Sequence, residues 1–189
     1  MLLKVEDLTG THAVAAAIAG VARAGDIIVL AGDMGAGKTA FAQGFGRALG
    51  VTEPITSPTF TLVHSYPLTH RLTLHHADIY RLDRTNDIAD LALPELASFN
   101  GIVLVEWGDV AGSALGDYLE VRLNHVDDID DADDVAVDDD AAEDGSDETG
   151  DDADEFADDG CREIELRTVG ASWAGRWDRI ARGVERYRC

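Results

Sequence analysis

Cysteine is almost missing from this chain, lysine occurs only twice, and no long apolar run is present. Cys161 and Cys189 are too few for a disulfide framework and suit a reducing compartment, so both read as incidental thiols. Lys4, Glu6 and Asp7 interrupt the first residues, so neither a secretory leader nor a membrane span is expected and a cytoplasmic location is. No internal repeat and no RNA-binding motif is visible. Arginine outnumbers lysine by 13 to 2, which has no physical account.

Basic residues are wholly lacking from one segment, and that absence explains the net charge of −22. Asp127 to Asp159 holds 19 of the 37 acidic residues, and removing them leaves only −3 on everything else. A halophile would spread acid over its whole surface, so the chain reads as a nearly neutral domain carrying an acidic insertion. With 189 residues and 46% apolar side chains, one domain over 1–189 can bury a proper core.

Hydrophobic spacing divides the chain into alternating elements. Val14, Ile18 and Val21 share one face of a helix predicted over 11–23, with a hydroxyl residue as its cap and Gly25 after its end. The continuous apolar run Ile27 to Ala31 is typical of a strand buried on both faces of a parallel sheet. Phe41, Phe45 and Leu49 recur every four residues, predicting a helix from Lys38 that Gly50 stops. Gly44 and Gly46 within it each cost up to about 1 kcal/mol relative to Ala, which points to close backbone packing there. Two extended runs, 59–66 and 71–78, predict a hairpin. A weaker helical patch over 87–99 is interrupted by Pro94, and a second buried strand, Ile102 to Val105, ends in Glu106 and Trp107. Strands at 118–126 and 162–169 flank the acidic segment, and Trp173, Trp177, Ile180, Val184 and Tyr187 predict an amphipathic closing helix. The expected fold is α/β: a P-loop NTPase-like three-layer domain with a mostly parallel central sheet and an added antiparallel hairpin.

Gly32-Asp33-Met34-Gly35-Ala36-Gly37-Lys38-Thr39 satisfies the phosphate-loop pattern, and its context matters more than the match. A buried strand leads into the loop and a helix leaves it, so backbone N–H groups and a helix N-terminus converge on a phosphate-sized anion. Lys38 would neutralise the β and γ phosphates of ATP, and the Thr39 hydroxyl would ligate Mg²⁺. One hydroxyl cannot fill an octahedral shell, so a strand-end acid is also needed. Glu106 is assigned to Mg²⁺, and Asp78 to Mg²⁺ or to orienting the attacking water; each could instead be a capping or surface carboxylate. Ser57-Pro58-Thr59 lies where such proteins place a segment that senses the γ-phosphate, with Thr59 as its donor, or forms a plain turn. His75 and His76 lack metal-ligand spacing and read as ordinary strand side chains.

Four segments in this order, residues 32–39, Ser-Pro-Thr-Phe-Thr-Leu-Val at 57–63, His-Ala-Asp-Ile-Tyr-Arg-Leu at 76–82 and Leu-Val-Glu-Trp at 104–107, resemble the bacterial ATPase family of tRNA threonylcarbamoyladenosine biosynthesis (TsaE, also called YjeE). The resemblance covers nearly all of the chain except 127–159. It implies ATP hydrolysis coupled to a partner complex, with TsaD and TsaB type subunits, that transfers a threonylcarbamoyl group to adenosine 37 of tRNA. It implies Lys38, Asp78 and Glu106 as catalytic residues, Thr39, Glu106 and Asp78 on the metal, and Thr59 in a switch-like segment. It also implies that Trp107 stands beside the site and that the stretch from Leu8 to Thr11 lies near adenine.

A P-loop kinase for a small metabolite would use the same loop but needs a basic lid, for which Arg81 and Arg84 are the only nearby cluster. The insertion is expected to be disordered, with a random-coil reach of roughly 30 Å. It reads as a solubilising loop in preference to a decoy for RNA or a partner for the arginines of the closing helix. Those arginines read as a solvated face, so tRNA contact is expected only through the partner complex, and no membrane contact is expected.

Overall fold

The computed structural model describes residues 1–82, 85–126 and 160–189. The acidic insertion, its expected disorder and Arg84 therefore lie outside the described residues. Seven strands form one sheet, β1 (Leu2–Val5), β2 (Ile27–Ala31), β3 (Val63–Pro67), β4 (Thr73–Asp78), β5 (Gly101–Glu106), β6 (Tyr118–His125) and β7 (Arg162–Val169), in the order β1-β7-β6-β2-β5-β4-β3. The central four, β6-β2-β5-β4, pair parallel, and the outer pairings are antiparallel. The two apolar runs read as buried strands are the neighbours at the centre, with Ile27 opposite Val103 and Leu30 opposite Glu106.

Both faces of that centre are covered, which is why the runs are continuous rather than alternating. Ile28, Leu30, Ile102 and Leu104 point into a core shared with Val14, Ile18, Phe41, Phe45 and Trp173. Val29, Val103 and Val105 point the other way, against Ile79, Leu93 and Leu115. The first core is roofed by α1 (Leu8–Ala19), α2 (Lys38–Leu49) and α5 (Trp177–Gly183); the second by α3 (Thr85–Asp90), α4 (Leu93–Ser98) and the 3₁₀ stretch Gly108–Leu115. Helices α1 and α2 pack closely at Gly44, where a Cβ would come within 2.8 Å of the His12 backbone, as the helical glycine suggested.

Four boundaries differ from the sequence reading. Helix α1 begins at Leu8 and ends at Ala19, because Asp7 caps it by accepting the Gly10 N–H at 2.7 Å; the cap is a carboxylate, not a hydroxyl. Strand β3 starts at Val63 rather than 59, because Leu62 adopts a left-handed φ of 62° that breaks an extended run. Pro94 sits in the first turn of α4, where its missing N–H costs nothing, so the patch over 87–99 is two short helices. The closing helix is α5 flanked by 3₁₀ turns at Ala174–Arg176 and Glu185–Tyr187. Strand β1, pairing with β7, was not foreseen.

Arg176 anchors this C-terminal segment. Its guanidinium donates through both terminal nitrogens to the buried Asp26, at 2.7 Å for Nη2, and also to the carbonyls of Val21 and Ser172. Asp26 in turn accepts the Arg23 N–H at 2.7 Å, so one buried ion pair fixes the entry to β2.

Candidate functional site

The carboxyl ends of β2, β4 and β5 open on one cavity of about 710 Å³, the place where parallel sheets present their ligand sites. The segment after β2 cannot continue the strand. Gly32 has φ 126°, and a Cβ there would collide with the Leu123 carbonyl of β6. Gly35 and Gly37 have φ of 80° and 96°, a region costly for side chains, so the chain wraps into a loop whose last glycine starts α2. Behind Gly37 stands the fully buried Arg162 of β7; a Cβ on Gly37 would lie 2.9 Å from its Nε.

Lys38 follows at once and folds back over the loop, its Nζ donating to the carbonyls of Gly32 at 2.9 Å and Asp33 at 2.7 Å. The same ammonium stands 3.7 Å above the Trp107 ring. Burial pushes the Lys38 ammonium below the usual lysine range, while Glu106, Asp78 and Asp33 oppose that shift by favouring the charge. Trp107 is itself held in a left-handed backbone conformation, φ 63°, with its N–H on Leu30 of β2, and Tyr80 tilts against its ring at 4.9 Å. A non-glycine residue there stores strain that the surrounding contacts must hold.

The two strand-end acids are cross-strand partners, Asp78 opposite Glu106. Glu106 is buried and accepts from Thr39 Oγ1 at 3.1 and 3.3 Å through its two oxygens. His76 Nε2 contacts Glu106 Oε1 at 2.9 Å. Asp78 holds the segment after α2: its Oδ2 accepts from Ser57 Oγ at 2.6 Å and Thr59 Oγ1 at 3.2 Å, and its Oδ1 accepts the Tyr80 N–H at 2.9 Å. Its own N–H donates to the Leu62 carbonyl at 3.0 Å, so the segment 57–62 is held by the side chain and the backbone of one residue.

Of the residues singled out in the sequence, Leu8, Met34, Gly35, Gly37, Lys38, Thr39, Thr59, Asp78, Glu106 and Trp107 all line the cavity. Asp33 is exposed on the loop and joins it through its carbonyl, and Ala36 is buried behind the loop. Thr11 is not among the lining residues: it is fully buried in α1, its hydroxyl near the Asp7 carbonyl at 3.3 Å. Sequence reasoning missed Ala40, Gln43 and Tyr80 as lining residues and missed the contact of His76 with Glu106; Ser57, named there in the Ser-Pro-Thr segment, and Arg81, named there as a possible lid residue, also line the cavity. His76, Tyr80 and Arg81 all belong to the marked segment 76–82, but nothing in the spacing pointed to the contact of the histidine with Glu106. Arg81 reaches the mouth of the cavity with its guanidinium 4.8 Å from the Phe60 ring.

Among the described residues no three His, Cys, Asp or Glu side chains gather into a metal-holding group. No helix among them is long and apolar enough to cross a membrane.

A sequence model of the family described as "Threonylcarbamoyl adenosine biosynthesis protein TsaE" matches residues 5–132. The chain is 44% identical over 94 residues to the "tRNA threonylcarbamoyladenosine biosynthesis protein TsaE" of Treponema pallidum, covering 50% of this chain and 68% of that one. It is 43% identical over 97 residues to the protein of the same description from Bacillus subtilis, covering 51% and 60%. Thus the similarity spans only about two thirds of the length of these relatives. A crystal structure of Bacillus subtilis YdiB superposes with a TM-score of 0.60 at 25% identity, covering 98% of this chain and 94% of that one.

Proposed function

Since the chain belongs to the TsaE family of threonylcarbamoyl adenosine biosynthesis proteins, we propose that it is a Mg²⁺-dependent ATPase supporting threonylcarbamoyl transfer to adenosine 37 of tRNA by a partner transferase complex with TsaD and TsaB type subunits. The observation that carries the ATPase reading is the convergence of Lys38, Thr39 and Glu106 on one cavity beside a loop of left-handed glycines.

The loop from Gly32 to Gly37 supplies backbone N–H groups to the phosphates, and the α2 N-terminus adds its dipole. Lys38 leaves the two loop carbonyls, to which it now donates, for the β and γ phosphates. Its low exposure strengthens that attraction, since charges in a poorly solvated site interact more strongly than in water.

The oxygens of Thr39 and Glu106 suit Mg²⁺: both are hard donors, they already meet within 3.3 Å, and they come from the loop and a strand end. Two protein ligands leave room for phosphate and water oxygens, as a nucleotide-borne Mg²⁺ requires. Bound Mg²⁺ supplies neutralisation of charge on the transferring phosphoryl group. Asp78 orients the attacking water or joins the metal, and its hydrogen bonds to Ser57 and Thr59 tie the segment 57–62 to the state of the site. Leu8 stands at the cavity wall, on the stretch that the family resemblance puts near adenine, and Trp107 lies beside the Lys38 ammonium.

The test is phosphate release from ATP and Mg²⁺ by the protein and by Lys38→Ala, with and without the transferase complex. Partner-stimulated release that vanishes in the variant is expected. Release indifferent to both changes overturns the reading, and a phosphorylated metabolite in place of free phosphate makes the protein a kinase.

A further inference from the structure

His76 has no role in that reading, yet its surroundings are unusual. It is fully buried on β4, between Leu74 and Asp78 on one face of the strand, two positions before the acid. Its Nε2 lies 2.9 Å from Glu106 Oε1, while its Nδ1 has no hydrogen-bond partner among the described residues. A buried polar atom without a partner costs about 1–3 kcal/mol, so an apolar side chain of similar size would fill this place at lower cost. Packing alone therefore does not account for a histidine here.

Its one polar contact does. Glu106 ends β5, and a free carboxylate there could rotate about its last torsion, which is broad and roughly twofold. Thr39 donates to both of its oxygens, at 3.1 and 3.3 Å, which constrains the group from the loop side only. The imidazole constrains it from the sheet side: an N–H donated to Oε1 leaves Oε2 and the outer lone pairs turned to the cavity. The β4–β5 register that sets Asp78 opposite Glu106 places His76 opposite Leu104, so the ring approaches the carboxylate diagonally from the neighbouring strand.

We propose that His76 is a positioning residue for the metal-holding carboxylate: its Nε2–H donates to Glu106 Oε1 and sets the orientation in which Glu106 and Thr39 together receive Mg²⁺. The inference rests on the assignment of Glu106 to the metal. Outer partners of metal-holding carboxylates commonly govern affinity by 10- to 100-fold, because they remove the need to order the ligand at binding. His76 is fully buried and is not among the residues that line the cavity, so its effect is confined to the carboxylate it contacts and the metal that carboxylate holds.

The experiment follows ADP binding through Trp107 fluorescence, first with a chelator present and then as a Mg²⁺ titration, in His76→Leu, His76→Gln and Glu106→Gln. His76→Leu is expected to raise the Mg²⁺ concentration at half-saturation by about 10- to 100-fold. Its metal-free ADP affinity stays within about twofold of the unaltered protein, because the phosphate loop is untouched. His76→Gln, whose amide N–H reaches the place of Nε2, restores most of the metal response. A purely space-filling histidine predicts the opposite pattern, with Leu tolerated and Gln no better, and that result overturns the proposal. Should the Leu variant not fold, His76→Asn, polar but about 1 Å too short to reach Oε1, is read by the same two outcomes. An unchanged Mg²⁺ response in Glu106→Gln removes the metal assignment itself, whereas a shifted Glu106→Gln beside an unshifted His76→Leu removes only the role of His76.

Discussion

The hydroxyl of Thr39 and the carboxylate of Glu106 meet at 3.1 and 3.3 Å across 67 residues of sequence. One lies in the first turn of α2 and the other closes β5, so the two line the cavity from different layers of the fold. Replacing Thr39 by Val removes the hydroxyl at nearly constant volume. Mg²⁺-dependent phosphate release should then fall by at least about tenfold, the scale on which even outer partners of a metal act. Nucleotide affinity without metal should hold. Equal losses with and without Mg²⁺ in a binding titration would falsify this division of labour.

The Asp26–Arg176 pair is buried at both ends. Breaking it from either side leaves a lone charge in a poorly solvated place, so Arg176→Met and Asp26→Asn should each destabilise the fold by about 3–5 kcal/mol. The double replacement should cost less than the sum, because neither charge is then stranded. Chemical denaturation of the three variants decides it, and simple additivity would show that the pair does not act as a unit.

Acid should weaken the protein through His75 and His12. Burial holds His75 below the ordinary histidine value of 6.5, and burial followed by the Arg47 charge does the same to His12. A depressed folded-state pKa means that the unfolded chain takes up protons first. The stabilising contribution is thus full above about pH 6.5 and is lost as pH falls toward the folded-state value. His75 Nδ1 also pairs with Ser65 Oγ at 2.8 Å, a contact that glutamine does not reproduce. His75→Gln should therefore lower Tm at neutral pH yet lose less of it between pH 7 and pH 5. Parallel Tm curves for the two proteins over that range would rule the mechanism out.

The acidic segment should be dispensable for hydrolysis. Strands β6 and β7 pair as far as His125 opposite Arg162, and the Val126 N–H donates to Cys161 at 3.1 Å, so the two ends of the insertion are already side by side. A short glycine-containing turn can join them. Deleting 127–159 in this way should leave phosphate release within about twofold, as surface-loop changes usually do. A folded deletion protein with strongly reduced release would give the segment a direct part in the activity.

The cavity was legible because much of it is written locally. A run of eight residues carries the phosphate loop, and Glu106 and Asp78 each terminate an apolar or extended run, so strand ends could be read without knowing the sheet order. The two central strands were visible for a related reason: burial on both faces leaves no polar alternation to confuse. Strand β1 was missed because four residues at a sheet edge, with Lys4 exposed between buried Leu3 and Val5, carry too little pattern. The run from Thr59 looked extended because Thr, Phe and Val favour strands, but Asp78 draws Ser57 and Thr59 into a turn that Leu62 completes. His76 could not be found at all from spacing, because its meaning comes from the β4–β5 register.

The phosphate loop lies against β6 and β7: Gly32 is closed in by the Leu123 carbonyl and Gly37 by the Arg162 side chain. During synthesis the ribosome releases the whole eight-residue motif, α2 and both acids long before it releases the hairpin that backs the loop. A nascent chain extending only to Trp107 carries all the residues of the nucleotide site and lacks the wall that gives them their shape. Competence to hold a nucleotide thus arrives late, after the acidic segment has been translated, and the chain must pass through a long interval in which its best-known motif is present but unformed.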